Sequence, residues 1–400
     1  MKEVIDFNQA KNETEKKKMN KKKIVILISI IILIVFIVTC FIIYASNKDF
    51  RNFMDQYLFR KNITDEKVPT IEYDYESNTN VIPYGKYICI LAENTLTQYN
   101  GSGKKEQEVK IEINQPVYES NGRYLAIGEK NSKKLYLLSG MNIIWEKQID
   151  GNISKVSVNK NGYVSCIVTG TTYKSVIITY DAKGNELFKT YRSNTIAVDA
   201  AISNDNQYLT FAEINTSGTV IQSNIKTISI EKAKEDKDDP IIYTYTASQN
   251  SLILKIKYQD KNRLVCMYDD SIHMIESDVD MVVLSLNETE QKITFADINL
   301  TNFVMRSVEK STGLFSADTS IEMMNITNQK ENLYTVEGVA KSITCYDNVI
   351  AVNLGSEVEF INTSSWLMKR YTSSQEVRNI ILCDGLAGIV YQDKIEIINL

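Results

Sequence analysis

The chain has 400 residues, of which 44% are hydrophobic, with 23 Tyr and only 4 Pro. This composition can bury a large core and favours many regular strands, so it excludes an intrinsically disordered chain. The formal net charge is −5; residues 1–23 carry eight Lys against four acidic residues, a net of +4, which leaves −9 for the remainder. An acidic remainder repels phosphate backbones, so we expect no nucleic acid partner.

Residues 24–45 form an uncharged run of 22 residues, IVILISIIILIVFIVTCFIIYA. At about 1.5 Å per helical residue the run extends roughly 33 Å, enough to cross the hydrocarbon core of a bilayer. A cleaved signal peptide is the alternative, but its apolar region is usually about 7 to 15 residues and ends in a small-residue cleavage site. We therefore predict an uncut transmembrane helix over 24–45 whose partner is the lipid bilayer.

Positive charge is concentrated just before this run, where KKKMNKKK supplies six of the eight Lys. The residues that follow the run mix basic and acidic side chains. Because an excess of Lys and Arg stays in the cytoplasm, we predict a cytoplasmic tail over 1–23. The rest of this single-pass protein then lies outside the plasma membrane.

Residues 46–67 predict a juxtamembrane helical stalk. Their hydrophobic side chains recur at three- and four-residue intervals, the spacing of one helix face: Phe50, Phe53, Met54, Tyr57 and Leu58. The helix should end by Val68-Pro69, because proline cannot join the hydrogen bonding of the preceding turn. We expect the remaining residues, 68–400, to form one extracytoplasmic domain.

A short phrase returns eight times within 68–400: a Gly or Asn turn, then a Tyr-rich or aliphatic strand. The turn residues lie 37 to 56 positions apart: Gly85, Gly122, Gly162, Asn206, Asn262, Asn302, Asn348 and Gly385. A repeat of roughly 40 to 50 residues with about four short strands is typical of a β-propeller. We predict an all-β fold with eight blades, with seven blades as the second choice.

The segment 70–76, TIEYDYE, alternates apolar and acidic residues as a half-buried strand does. The last repeat shows only three strands before Leu400. An open ring would leave two unpaired sheet edges, which invite aggregation. We therefore predict that the 70–76 strand becomes the outer strand of the last blade and closes the ring.

The fourth repeat is the longest, and its extra length includes EKAKEDKDDP at 231–240. A run of mixed charge that ends in Pro predicts a solvated loop between strands. A cation site or a docking loop is the alternative.

The sequence predicts no catalytic, metal-binding or cofactor-binding residue, and no cofactor. G-x-S-x-G, H-E-x-x-H, P-loop and dinucleotide-binding motifs are missing from it. The single histidine, His273, has no second His to complete a metal or acid-base site, which favours a structural or surface role. Cys89, Cys166 and Cys266 each follow their turn residue by four positions. Equivalent places in different blades are too far apart for a disulfide, so we predict none.

Acidic residues recur seven or eight positions after the turn residue in six repeats: Glu93, Glu129, Glu213, Asp269, Glu309 and Asp393. If the repeats superpose, these carboxylates gather on one rim of the ring. Such an acidic rim could receive a cation or a basic peptide. The alternative is that exposed hairpin turns simply carry charge.

The basic tail, single span, short stalk and repeats of the type SNGRYLAIGE and LYLLSGMNIIWEKQI resemble an uncharacterised family of bacterial membrane-anchored propellers, described only as a domain of unknown function. The hairpin YDAKGNELFKTY is also similar to repeats of the quinoprotein-like propeller superfamily, which includes quinone-dependent dehydrogenases and non-catalytic scaffolds. The enzymes' A-x-D-x-x-T-G-x-x-x-W phrase is not intact here. The resemblance therefore implies the non-enzymatic branch.

These features predict a membrane-anchored extracytoplasmic propeller that binds a protein, a peptide or an envelope glycan, as a non-catalytic scaffold or sensor. An enzyme with a degenerate site in the central channel, quinoprotein-like or hydrolytic, is the alternative. A passive spacer is a third reading.

Overall fold

The computed structural model describes residues 21–46, 50, 54, 58, 68–73, 79–235, 239–287, 292–313, 316–373 and 375–400. The chain divides into two compact units, with the boundary after residue 61. Most of the predicted stalk over 46–67 lies outside the described residues.

The first unit contains helix α1, Lys21–Ser46. An 18-residue window of its part Ile26–Ser46 has a mean hydropathy of 3.5, and this is the one helix, within the described ranges, that is long and apolar enough to cross a membrane. A signal sequence near an N-terminus would meet the same criterion. The hydroxyls of Thr39 and Ser46 donate to carbonyls four residues earlier, each at 2.8 Å, so these polar groups are satisfied within the helix.

The second unit contains eight four-stranded antiparallel sheets, so the predicted eight-bladed β-propeller is confirmed. In blades I to VII the four strands follow chain order across the sheet, from the innermost strand to the outermost. The strands of blades I to IV are β2 to β5 (Asn80–Tyr84, Tyr87–Ala92, Thr95–Tyr99, Lys105–Lys110), β6 to β9 (Pro116–Asn121, Tyr124–Glu129, Lys134–Ser139, Asn142–Gln148), β10 to β13 (Asn152–Val158, Val164–Thr169, Ser175–Tyr180, Glu186–Arg192) and β14 to β17 (Thr195–Ile202, Tyr208–Asn215, Gln222–Ser229, Ile241–Thr246).

The strands of blades V to VII are β18 to β21 (Ile253–Tyr258, Arg263–Tyr268, Ser271–Glu276, Val279–Ser285), β22 to β25 (Lys292–Asp297, Phe303–Ser311, Ala317–Asn325, Glu331–Val336) and β26 to β29 (Ser342–Tyr346, Val349–Asn353, Glu357–Asn362, Leu367–Thr372). Blade VIII joins both ends of the domain: its strands β30 to β32 (Asn379–Cys383, Leu386–Val390, Lys394–Asn399) are followed in the sheet by β1 (Thr70–Glu72).

Strand β1 closes the ring as the sequence predicts. It pairs antiparallel with β32, where Ile71 lies opposite Ile395. Ile71 is buried, and its strand neighbours Thr70 and Glu72 are exposed. The described strand ends at Glu72, and the second half of the predicted 70–76 strand falls outside the described residues except for Tyr73.

Apolar side chains pack between neighbouring blades. At the junction of blades VIII and I, Ile381 and Ile395 pack in one cluster with Ile88 and Ile90, and all four are buried. Burying an aliphatic side chain of this size contributes about 1.5 to 3 kcal/mol. The ring is therefore closed by apolar packing as well as by strand pairing.

The repeated turn residues follow the innermost strand of each blade, so they share one face of the ring. Six of them have a positive φ: Gly85, Gly122, Gly162, Asn206, Asn302 and Gly385. In blade VII the positive φ falls on Asp347 (φ 52), beside the predicted Asn348. Asn262 of blade V has no positive φ. Glycine and asparagine tolerate this backbone conformation best, which explains the phrase in the other blades.

The prediction of a solvated loop over 231–240 is wrong in part. The insertion opens with a short helix, α2, Ile230–Glu235. Ile230 and Ala233 are three residues apart and therefore share a helix face, which packs with Leu187 and Phe188 of strand β13. Apolar packing against blade III thus overrides the polar composition of the segment.

Candidate binding site in the central tunnel

The innermost strands of the blades surround a central tunnel with a cavity volume of about 880 Å³. Every blade contributes to its wall, as one residue from each shows: Pro83, Tyr118, Lys155, Asp199, Lys255, Asn299, Thr344 and Asn379. Pockets of roughly 300 to 1,000 Å³ are typical of small-ligand sites. The tunnel is therefore large enough for a small ligand or a short piece of chain.

Four consecutive blades, III to VI, carry a β-bulge at the same place in the innermost strand. Pairing with the next strand skips one residue in each of them: Ser154, Val198, Leu254 and Thr294. The innermost strands of blades I, II, VII and VIII pair without a register shift. A bulge bends its strand and re-aims the side chains beside it. One half of the ring is thus built differently from the other.

The residue after the bulge is charged and lines the tunnel in blades III, IV and V: Lys155, Asp199 and Lys255. Asp199 is buried, and its carboxylate accepts hydrogen bonds from the main-chain amides of Ala200 (3.1 Å) and Ile256 (2.9 Å). The ammonium of Lys155 lies 3.4 Å from the same carboxylate. Asp199 therefore joins three blades, and its negative charge is already balanced.

Two lysines of strand β18 are held by one residue of the next blade. Lys255 Nζ lies 2.7 Å from Asn299 Oδ1, and Lys257 Nζ lies 3.0 Å from the main-chain oxygen of Asn299. Asp297 in turn accepts hydrogen bonds from the main-chain amide and the side-chain Nδ2 of Asn299, which fixes that residue. Burial, and then the charge of Lys255, lower the pKa of Lys257.

Acidic side chains face these lysines. Burial raises the pKa of Glu119, the charge of Asp199 raises it further, and the charges of the tunnel lysines oppose the rise. Burial likewise raises the pKa of Asp297. We call the interacting set the charged girdle: Glu119, Lys155, Asp199, Lys255, Lys257, Asp297 and Asp347. A wall that alternates in sign is suited to bind and orient a charged ligand.

The six members of the predicted acidic rim lie in the last three residues of a second strand or in the turn after it, towards the face opposite the repeated turns. Several are already engaged by protein groups. Glu129 accepts the main-chain amides of Asn114 (2.7 Å) and Gln115 (3.1 Å). Asp269 accepts the amide of Leu252 at 2.8 Å. Lys292 Nζ lies 2.6 Å from Glu309.

Glu213 belongs to the interior of its blade, since its side chain is fully buried. Arg192 and Lys226 lie 2.6 and 2.9 Å from its carboxylate. Only Glu93 and Asp393 are exposed in turns without such a contact on their side chains, among the residues described. No cluster of three or more His, Cys, Asp or Glu in the described part of the chain could hold a metal ion. Cation binding at the rim stays a prediction.

His273 belongs to a cluster on strands β20 and β21. Its Nδ1 lies 2.8 Å from Asp280 Oδ2, and its Nε2 lies 2.9 Å from Ser271 Oγ. The arrangement resembles a Ser-His-Asp triad, but Ser271 Oγ also lies 2.7 Å from Asp270 Oδ1. An ionised carboxylate only accepts, so the hydroxyl proton points to Asp270 and not to the imidazole. The cluster ties two strands together, the structural role predicted for His273.

None of the tunnel residues is among the residues predicted from the sequence. A signal for them exists: Lys155, Asp199 and Lys255 each lie seven positions before the turn residue of their repeat. The bulged positions share no residue type, so the sequence does not show where a bulge occurs. Strand alternation alone therefore does not reveal which side of the strand these charged residues face.

A family model described as a family of unknown function, DUF5711, matches residues 60–400. No curated protein matches the sequence. Among solved structures, BamB from Moraxella catarrhalis is similar with a TM-score of 0.50 and 12% identity, over 84% of this chain and 99% of that chain.

The C-terminal WD40 domain of Sif2 is similar with a TM-score of 0.56 and 12% identity, over 82% of this chain and 98% of that chain. Sqt1 from Chaetomium thermophilum gives a TM-score of 0.51 and 9% identity, over 83% and 98%. At these identities the likenesses show the propeller fold alone.

Proposed function

The chain belongs to the DUF5711 family of unknown function, and from the geometry of its tunnel we propose that it is a membrane-anchored, non-catalytic binding module. Helix α1 anchors it in the bilayer, residues 1–23 stay in the cytoplasm, and the propeller over 68–400 faces the outside. Its ligand is a protein or peptide bound at the tunnel.

The bulged half of the ring is the observation that carries this proposal. A passive spacer needs only closed, well-packed blades, and four innermost strands of this ring meet that need without a bulge. The innermost strands of the other four blades each lose one pairing position to a bulge. In three of these strands the residue after the bulge presents a charge to the tunnel. Charges of both signs favour a peptide over an uncharged glycan as the ligand.

Photo-crosslinking in native membranes tests the ligand. Benzoylphenylalanine replaces Tyr118, on the tunnel wall, or Ile144, which is exposed on the outermost strand of the same blade. We expect the full-length protein to form a protein or peptide adduct from position 118 and not from position 144. Equal adducts from both positions, a glycan adduct, or no adduct from 118 would each contradict the proposal.

Cysteine labelling tests the topology. The five native cysteines of the propeller are buried and Cys40 lies within α1, so the label is read as the difference between the parent and a variant with an added cysteine at the exposed position Lys133. We expect a membrane-impermeant maleimide to label Lys133→Cys in intact cells. Labelling only after permeabilisation would place the propeller inside and overturn the orientation.

A further inference from the structure

Within this binding function, and resting on it, we propose that Lys255 and Lys257 form a seat for a ligand carboxylate in the central tunnel. The two lysines lie two positions apart on β18, after its bulge, so both reach the same side of the strand. Both ammonium groups are held by Asn299, one by its side-chain oxygen and one by its main-chain oxygen. Their positions are therefore fixed before any ligand arrives.

The seat has unused hydrogen-bond donors. An ammonium group has three N–H donors. Asn299 is the one partner that the described residues give to either lysine, and no carboxylate there forms an ion pair with them. Asp297, two positions before Asn299 in the chain, accepts hydrogen bonds from Asn299 and forms no ion pair with either lysine among the residues described. Both ammonium groups thus keep N–H donors that an anion can accept.

The remainder of the charged girdle selects the kind of anion. Glu119 and Asp347 bring negative charge to the same tunnel, and they would repel a dianion more strongly than a monoanion. A carboxylate carries a single charge and two oxygens, one for each ammonium group. The same carboxylate can come from the C-terminus of a peptide or from a free small acid.

The decisive comparison is between a carboxylate and its neutral amide. The full-length protein in detergent is titrated with N-acetyl-dialanine as the free acid and as the amide, at constant ionic strength because salt screens charges. We expect the acid to bind at least about tenfold more tightly than the amide, since hydrogen bonds to charged groups are worth more than neutral ones. Equal affinities would overturn the seat.

Variants locate the binding. Lys255→Met/Lys257→Met should weaken binding of the acid by about tenfold or more, while Lys133→Met, an exposed control, should change it less than about twofold. If the double variant unfolds, Lys257→Gln replaces it in the same titration, because it removes one charge and keeps a hydrogen-bond donor near Asn299. Unchanged affinity in these folded variants would overturn the proposal.

Two further ligands identify the source of the carboxylate and test the class of anion. Acetate that binds as tightly as the peptide acid indicates a free small carboxylate, whereas a preference for the peptide acid indicates a chain terminus. Inorganic phosphate that binds more tightly than either contradicts the carboxylate class. If the adduct at position 118 persists while acid and amide bind equally, this inference fails and the binding function stands; loss of the adduct itself removes both.

Discussion

The phenol oxygen of Tyr73 donates a hydrogen bond to the main-chain oxygen of Tyr391 at 2.8 Å, across 318 positions of sequence. The main-chain amide of Tyr73 also donates to the oxygen of Asp393 at 3.1 Å. These contacts extend the pairing of β1 with β32 by one residue. The start of the domain is therefore bonded to its last blade.

Loss of the buried side chain of β1 should open this closure. We expect Ile71→Ala to lower the free energy of unfolding by about 2 to 4 kcal/mol, because it leaves a cavity opposite Ile395. Chemical denaturation of the full-length protein in detergent measures it. The control Glu72→Ala changes an exposed residue of the same strand, and equal effects of the two variants would show that β1 is not part of the core.

Removal of the buried charge of Glu213 should destabilise the protein in a pH-dependent way. Burial alone would raise the pKa of Glu213, but hydrogen bonds from Thr195 and Lys226 and the charge of Arg192 outweigh it and hold the pKa below its usual range. A lowered carboxyl pKa contributes stability above the unfolded pKa of about 4.3 and loses it as the pH falls through the folded value.

We therefore expect Glu213→Gln to cost about 2 to 5 kcal/mol at neutral pH and clearly less near pH 3. Denaturant titrations at both pH values measure the difference, with the exposed Glu93→Gln as control. A loss of unfolding free energy that stays constant with pH would mean that Glu213 does not stabilise the protein through its ion pairs.

Lys257 should lower the stability of the folded protein at neutral pH. Burial and the charge of Lys255 lower the pKa of Lys257. The folded protein is therefore more stable above the ordinary lysine pKa of about 10.4, and this stability is lost as the pH falls through the lowered pKa of the folded state. At neutral pH we expect Lys257→Met to melt at an equal or higher temperature than the parent. Lys133→Met should leave the melting temperature unchanged. A clear drop for Lys257→Met would assign that lysine a structural role.

Gly184 should tolerate substitution less than Gly140, although both lie in hairpin turns at positive φ (84° and 59°). A Cβ at Gly184 would lie 2.8 Å from the ring of Trp145 in the preceding blade, whereas a Cβ at Gly140 meets no atom within 4 Å. We expect Gly140→Ala to cost about 1 to 2 kcal/mol from backbone strain and Gly184→Ala to cost more. Equal losses would show that Trp145 moves aside freely.

The blade count and the closing strand could be predicted from sequence because their signals are local. A turn at positive φ favours Gly, Asn or Asp, and a half-buried strand such as TIE alternates, so both can be recognised in the sequence without knowledge of the fold. Even so, the positive φ falls one residue early at Asp347, and Asn262 has none.

The tunnel could not be predicted in the same way. Ser154 and Leu254 become bulges only through their pairing with the next strand, and Asn299 meets Lys255 only when two blades stand side by side. The helix at Ile230 had the same difficulty, because its partner Phe188 lies in the preceding blade. Contacts between blades have no fixed sequence spacing.

The order of synthesis gives β1 a further consequence. Strand β1 leaves the ribosome first among the strands of the propeller, while its partner β32 is made more than 300 residues later. At about 5 to 20 residues per second the wait lasts on the order of tens of seconds. During that time residues 70–72 have no strand to pair with. A chaperone that covers them until translation ends would protect the ring from mispairing.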